Sequence, residues 1–162
     1  MEYNTTPPGE TGLADELNAY QLIPATQGQR FLNWLIDNLF MRFALSVVTS
    51  RLVGELLVRF FPDFAMRLAY EQNTFDVLVA NYLFGFFNYL IYYTFCEKAF
   101  RGYTLGKLIT GTRAVRDDGQ ELSLKDALLR SLSRLVPFEA FSGFGDRPWH
   151  DSWTKTTVVK TR

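Results

Sequence analysis

Groups that carry chemistry are scarce in this chain of 162 residues. Its one cysteine, Cys96, excludes an intramolecular disulfide framework and any zinc site built from several thiolates. Its one histidine, His150, belongs to no cluster of carboxylates and thiols at metal-ligand spacing, so neither a metal nor a cofactor is expected. Neither charge is in excess: 17 Lys and Arg face 17 Asp and Glu, without a basic run of five or six. The broad positive field of a nucleic-acid binder is missing, and no nucleic-acid partner is expected. The length suits one domain.

What is abundant is aromatic: 15 Phe, 8 Tyr and 3 Trp make up 16% of the chain. The mean hydropathy of −0.04 is low for a chain made mostly of membrane spans, but the charges are segregated. Residues 1–29 hold four acids and no Lys or Arg, whereas 97–162 hold twelve basic and eight acidic residues. Between them Val77–Cys96 runs for twenty residues without a charge. As a helix at about 1.5 Å per residue, that run is as long as a bilayer hydrocarbon core is thick. The alternative is a buried core helix of a soluble protein, which usually shows a polar stripe. Here only Asn81, Asn88 and Thr94 interrupt the apolar surface. Asn81 and Asn88 share one face with Gly85 and Tyr92, which suits helix packing inside a membrane.

A second candidate, Phe31–Ser50, contains Asp37 and Arg42. Charges that deep cost about 2.5–3.5 kcal/mol each on insertion scales, so they need partners or a wet cavity. Beyond it Arg51, Glu55 and Arg59 recur every four residues opposite Leu52, Val53, Leu56, Leu57, Phe60 and Phe61, an amphipathic pattern that ends before Pro62. The expected architecture is all-α: spans over about 31–57 and 76–97, an interfacial or re-entrant C-terminal helix, and a small cytoplasmic β-hairpin. Met1–Arg30 lacks a secretory signal, so the first span would direct insertion. Residues 97–116 carry five Lys and Arg, and the connector 59–76 carries two. Both termini are therefore expected in the cytoplasm. Residues 1–24 form an acidic, partly disordered tail, with a short helix over 13–22 stopped by Pro24.

The cytoplasmic segment 98–160 reads differently. Asp118-Gly119 signals a turn between extended runs at Thr112–Arg116 and Glu121–Leu124, hence the hairpin. Ser123 followed by Asp126 marks a helix start, with Leu128, Leu129, Leu132 and Leu135 on one side. Arg130 and Arg134 sit on the other side, expected near anionic head groups. Residues 126–145 are too charged and too broken by Pro and Gly for a third span. Thr154–Thr161 is a strand candidate.

Gly102-Tyr-Thr-Leu-Gly106-Lys107 fails as a nucleotide loop, having three residues between its glycines and Leu108 after the lysine. His150-Asp151 lacks a marked nucleophile, and a structural hydrogen bond is the better reading. No enzymatic activity is expected. What is left is the charged set of Arg30, Asp37, Arg42 and Asp151. It is either an ion or proton site or a pairing that fastens the first helix to the C-terminal segment. Arg30 and Asp37, seven apart, share a helix face, and Asp151 is expected to approach Arg30.

Several segments together resemble a known family. Ala25-Thr-Gln-Gly28-Gln-Arg30 followed by Phe31-Leu-Asn-Trp-Leu-Ile-Asp37 is similar to the opening of the RDD membrane-protein family, named for one Arg and two Asp. Gly102-Tyr-Thr104-Leu-Gly106-Lys107, Gly111-Thr-Arg113-Ala-Val115 and Asp118-Gly119 resemble its central motif. Ala127-Leu-Leu-Arg130-Ser and Trp149-His150-Asp151, with Thr156-Thr-Val-Val159, resemble its C-terminal part. The resemblance covers about 25–160 and implies a multi-pass protein of the bacterial cytoplasmic membrane, with transport suggested for some members. It carries the naming residues over as Arg30, Asp37 and Asp151. The motif residues carry over as Gly102, Thr104, Gly106, Lys107 and His150. The lipid bilayer is the expected partner, together with a homo-oligomer or a larger membrane complex.

Two functions fit the sequence: transport of a small ion or solute as an oligomer, or a non-transporting scaffold that binds a partner protein or anionic lipid. Asp37 favours the former, because its position inside a span costs stability that a scaffold avoids. The compartment is testable directly: the protein should stay with the membrane fraction through a high-salt wash and leave it only in detergent. Recovery in the soluble fraction would end the membrane reading.

Overall fold

The computed structural model describes residues 22–70, 74–143, 145 and 147–161. Except for Leu22, Ile23 and Pro24, the acidic tail expected over 1–24 lies before them, as does the helix expected over 13–22 apart from Leu22. Helix α1 (Gln27–Phe40) starts with a reciprocal cap: Gln29 N donates to Thr26 Oγ1 at 3.2 Å, and Thr26 N donates to Gln29 Oε1 at 3.1 Å. A π-helical turn, Met41–Leu45, leads into α2 (Ser46–Phe60). Such a turn inserts an extra residue and shifts the register of everything after it. Before it Asn33 and Asp37 are buried, at its first residue Met41 is, and after it α2 buries no residue at all. Pro62 then opens the short α3 (Pro62–Tyr70), where its missing N–H is no loss.

Helix α4 (Thr74–Ala99) contains the stretch Phe75–Ala99, the one described helix long and apolar enough to cross a membrane. Only 6% of its most apolar eighteen-residue window is buried. A soluble core helix would be mostly buried, so this surface is built for lipid or for other helices. The segment 31–57 is helical throughout, but the π turn divides it into helices of 14 and 15 residues. Asn88 Nδ2 donates to Thr49 Oγ1 at 3.0 Å, tying α4 to α2, whereas Asn81 bonds back to its own helix at Val77 O.

The C-terminal half packs α5 (Leu105–Thr110) on α1 and α6 (Leu124–Ser133) on α4. Ser123 and Asp126 form the expected cap of α6: Asp126 N donates to Ser123 Oγ at 3.1 Å and Ser123 N to Asp126 Oδ2 at 2.9 Å. After a bend at 134–138 come the short α7 (Glu139–Ser142) and α8 (Trp149–Thr154). Strand β1 (Thr112–Arg116) pairs antiparallel with β2 (Thr156–Lys160), Thr112 opposite Lys160 and Arg116 opposite Thr156. The chain before α1 docks on the free edge of β2, Ala25 N donating to Val158 O at 2.8 Å. The hairpin expected between 112–116 and 121–124 is therefore not the pairing that forms. The Asp118-Gly119 turn does form, with Gly119 N donating to Arg116 O at 2.9 Å. But Leu122 then drops into a core with Ala25, Ala114 and Val158, and Ser123 is already capping α6. Too few residues remain for a returning strand.

Two glycines set the tight approaches. Gly102 has φ +92°, and a Cβ there would collide with the backbone of Ala114. A Cβ on Gly106 would overlap the backbone of Asn33, so glycine is what lets α5 lie directly on α1. Gly106→Ala should cost about 1–3 kcal/mol by overpacking, read as a lower thermal unfolding midpoint in detergent.

Candidate functional site

The polar faces of α1, α4, α5, α6 and α8 meet at the end of the α1–α4 pair that carries Arg30 and Glu97. Arg30 projects from the first turn of α1, and its Nη1 donates to Asp151 Oδ2 at 2.9 Å. Asp151, on α8, is fully buried and also accepts from Arg130 Nη1 at 2.5 Å. Arg130 reaches onward: its Nε donates to Glu97 Oε2 at 3.0 Å, and its Nη1 also bonds Thr156 Oγ1. Glu97, in the last turns of α4, accepts in addition from Lys107 Nζ at 2.6 Å and Arg134 Nη2 at 2.7 Å. Arg130, Glu97 and Asp151 are all at zero exposure.

Asp37 stands apart from this chain of ion pairs. Its carboxylate accepts from Thr104 Oγ1 at 2.7 Å, Gly106 N at 2.8 Å and Tyr92 Oη at 2.8 Å. It thereby caps the start of α5 from a neighbouring helix, satisfying a backbone N–H that a six-residue helix would leave orphaned. One turn earlier, the Asn33 amide is hydrogen-bonded to the hydroxyls of Thr110 and Thr112. Arg30 and Asp151 thus come together, while Asp37, two turns further along the same helix face, holds the start of α5. Arg42 lies on the exposed side and joins neither group. His150 presents Nδ1 to Glu139 Oε1 at 2.5 Å and Nε2 to Asp151 Oδ1 at 3.5 Å.

The electrostatics follow from burial and neighbours. Burial raises the Asp151 carboxyl, but Arg130, then His150 and Arg30, outweigh it and hold it at about 2. Burial pushes the Lys107 ammonium down to about 8 against the pull of Glu97. Burial likewise lowers His150, with Arg134 adding to the effect. Among the described residues no group of three His, Cys, Asp or Glu is placed to hold a metal ion.

Residues 24–155 match the sequence description of the RDD family. The chain belongs to the RDD family. No curated protein and no solved structure matches it. Family membership and the bare apolar surface of α4 together point to a membrane protein. The Arg and two Asp carried over from the RDD motif, Arg30, Asp37 and Asp151, all lie inside the matched region. So do Gly102, Thr104, Gly106, Lys107 and His150. The glycines permit two close approaches, Thr104 caps a helix, Lys107 forms an ion pair and His150 a hydrogen bond.

Glu97 is the residue that sequence reading passed over, although it is the first charge after twenty uncharged residues. A carboxylate at the end of such a run needs a partner, and it has three. Arg130 and Arg134 were expected to face head groups. Both turn inward instead, because Glu97 and Asp151 would otherwise be buried without compensation. Glu97→Gln should therefore destabilise the fold by about 3–5 kcal/mol, the usual cost of breaking a buried ion pair, measured by unfolding in detergent. The Asp151 carboxyl lies below its ordinary 3.8 in the folded state. Its stabilisation is present above that value and is lost as pH falls from about 4 towards 2. The loss amounts to about 2 kcal/mol, since each tenfold change in proton affinity is worth roughly 1.4 kcal/mol. An acid titration of unfolding should show it.

Proposed function

We propose that this RDD-family protein is a two-span protein of the bacterial cytoplasmic membrane, with both termini cytoplasmic, that serves as a non-transporting scaffold. In this reading α1, the π turn and α2 form the first span and α4 the second, joined by α3 outside the membrane. The C-terminal elements form a cytoplasmic cap latched onto the cytoplasmic ends of both spans. The bare faces of α2 and α4 pack against lipid and against the helices of a second copy or a larger membrane complex. No catalytic activity and no cofactor are assigned to it.

The observation that carries this reading is the state of the three naming residues. Arg30 and Asp151 are paired with each other, Asp151 also with Arg130, and Asp37 has three protein donors. Carboxylates engaged in this way serve as fasteners, whereas a transported ion needs lone pairs that exchange partners. Two spans also enclose no water-filled path by themselves, so transport would require an assembly that covers lipid-exposed backbone and charge.

Flux through the membrane decides between the readings. Purified protein reconstituted into vesicles should pass sodium, potassium and protons no faster than empty vesicles. Asp37→Asn should lower thermal stability without altering that baseline. A flux in the wild type that is abolished by Asp37→Asn would replace the scaffold with a transporter.

A further inference from the structure

Among the charges of the segment 31–57, Arg42 lies deepest. It stands eleven residues after Phe31 and fifteen before Leu57, about 16 Å and 22 Å from the two ends of a helix. That depth denies it the snorkelling open to charges near the end of a span. Its neighbour Met41 is buried against Tyr92 and Tyr93 of α4, but Arg42 itself is exposed. Among the described residues its side chain makes no ion pair, hydrogen bond or ring contact. The side chains around it, Leu39, Phe43 and Val47, are apolar and exposed too. The other charges of the segment are compensated in ways that Arg42 is not. Asp37 has three donors, and Arg51 and Glu55, nearer the far end, are of opposite sign and one turn apart. A single cation on an apolar face at mid-membrane depth is costly, and such residues pair with one another across helices.

We infer that Arg42 docks a transmembrane helix of another protein, one that carries an Asp or Glu at mid-membrane depth. The charge it must meet selects the partner. A carboxylate restores neutrality and accepts two parallel hydrogen bonds from a guanidinium, the strong, charge-assisted kind. A lipid headgroup lies at the interface and leaves this depth unserved. A second copy in the same orientation presents its own Arg42 there, cation against cation. Its Glu55 is thirteen residues further on, about 20 Å along the helix, and α4 has no charge from Val77 to Cys96. The turn that holds Arg42 is the π-helical one, Met41–Leu45, a distortion that recurs at functional sites. The inference rests on the two-span scaffold reading and names the chemistry of what that scaffold holds.

The experiment uses the full-length protein in phosphatidylcholine vesicles, with a donor dye at its C-terminus. The probe is a synthetic helix of about twenty leucines with one Asp at its centre and an acceptor dye. Matched helices carry Asn or Leu in place of the Asp. Energy transfer should show the Asp helix binding about tenfold more tightly than the Leu helix. Arg42→Leu removes no contact among the described residues, so the variant should fold, and it should bind the Asp helix only as well as the Leu helix. If it does not fold, the three probes on the wild type still decide. Equal binding of the Asp and Leu helices, or of the Asp and Asn helices, overturns the inference. So does undiminished binding of the Asp helix by a folded Arg42→Leu variant. Energy transfer between two labelled copies that Arg42→Leu abolishes also overturns it, in favour of a second copy. A wild type that fails to float with the vesicles after alkaline washing refutes the two-span reading and this site together. One that floats but shows no preference for Asp refutes the site alone.

Discussion

Arg130 holds two carboxylates that come from distant parts of the chain. Glu97 ends the long apolar helix, and Asp151 sits on a short helix near the C-terminus. The guanidinium between them has no exposure to solvent. Removing such charges from water is expensive, and the cost is offset only where every partner is in place. The rest of the fold supplies most of those partners, although Arg130 Nη2 and Arg134 Nη1 find no acceptor among the described residues. Lys107 and Arg134 complete the surroundings of Glu97, Arg30 those of Asp151, and β2 offers Thr156. The bridge therefore imposes simultaneous docking on α1, α4, α5, α6 and α8.

The short loop and helix at 102–110 show how local sequence serves that constraint. Gly102 and Gly106 remove the side chains that would hold this segment away from β1 and α1. Thr104 caps its own helix and also donates to Asp37, while Lys107 extends to Glu97. What resembles a truncated nucleotide loop is a clamp. Its glycines allow contact with protein backbone, and its lysine meets a carboxylate of the same chain.

A membrane setting explains why so much charge is collected in one place. The exposed side of α4 is largely apolar, and α2 adds an apolar face beside its charged stripe of Arg51, Glu55 and Arg59, with Leu52, Val58, Leu83, Phe87 and Ile91 all uncovered. In hydrocarbon there is no hydrophobic force to press two such helices together, so polar contacts must fasten them. Asn88 to Thr49 supplies one such contact between α2 and α4, and the ion-pair network closes the end of the assembly. The stacked rings of Trp149 and Trp153, both exposed, and the uncovered leucines of α6 give the cap an apolar flank suited to the interface.

Much of this was legible in one dimension. Twenty uncharged residues identify an apolar helix because length and composition alone decide whether a segment can match a bilayer. The cap at Ser123 and the turn at Asp118-Gly119 are legible because each is satisfied within three residues of itself. The seven-residue spacing of Arg30 and Asp37 places them on one face for the same local reason. The partners were decided in three dimensions. Arg130 and Arg134 read as a solvated face of an amphipathic helix, since nothing nearby in sequence reveals that Glu97, more than thirty residues earlier, is waiting to be neutralised. Strand β1 pairs with β2 because Leu122 is needed in the core and Ser123 in a cap, which withdraws the nearer segment from pairing. The division follows the range of the forces: hydrogen bonds within a turn are written into adjacent residues. The pairing of buried charges depends on which helices are brought together, and only the folded chain brings them.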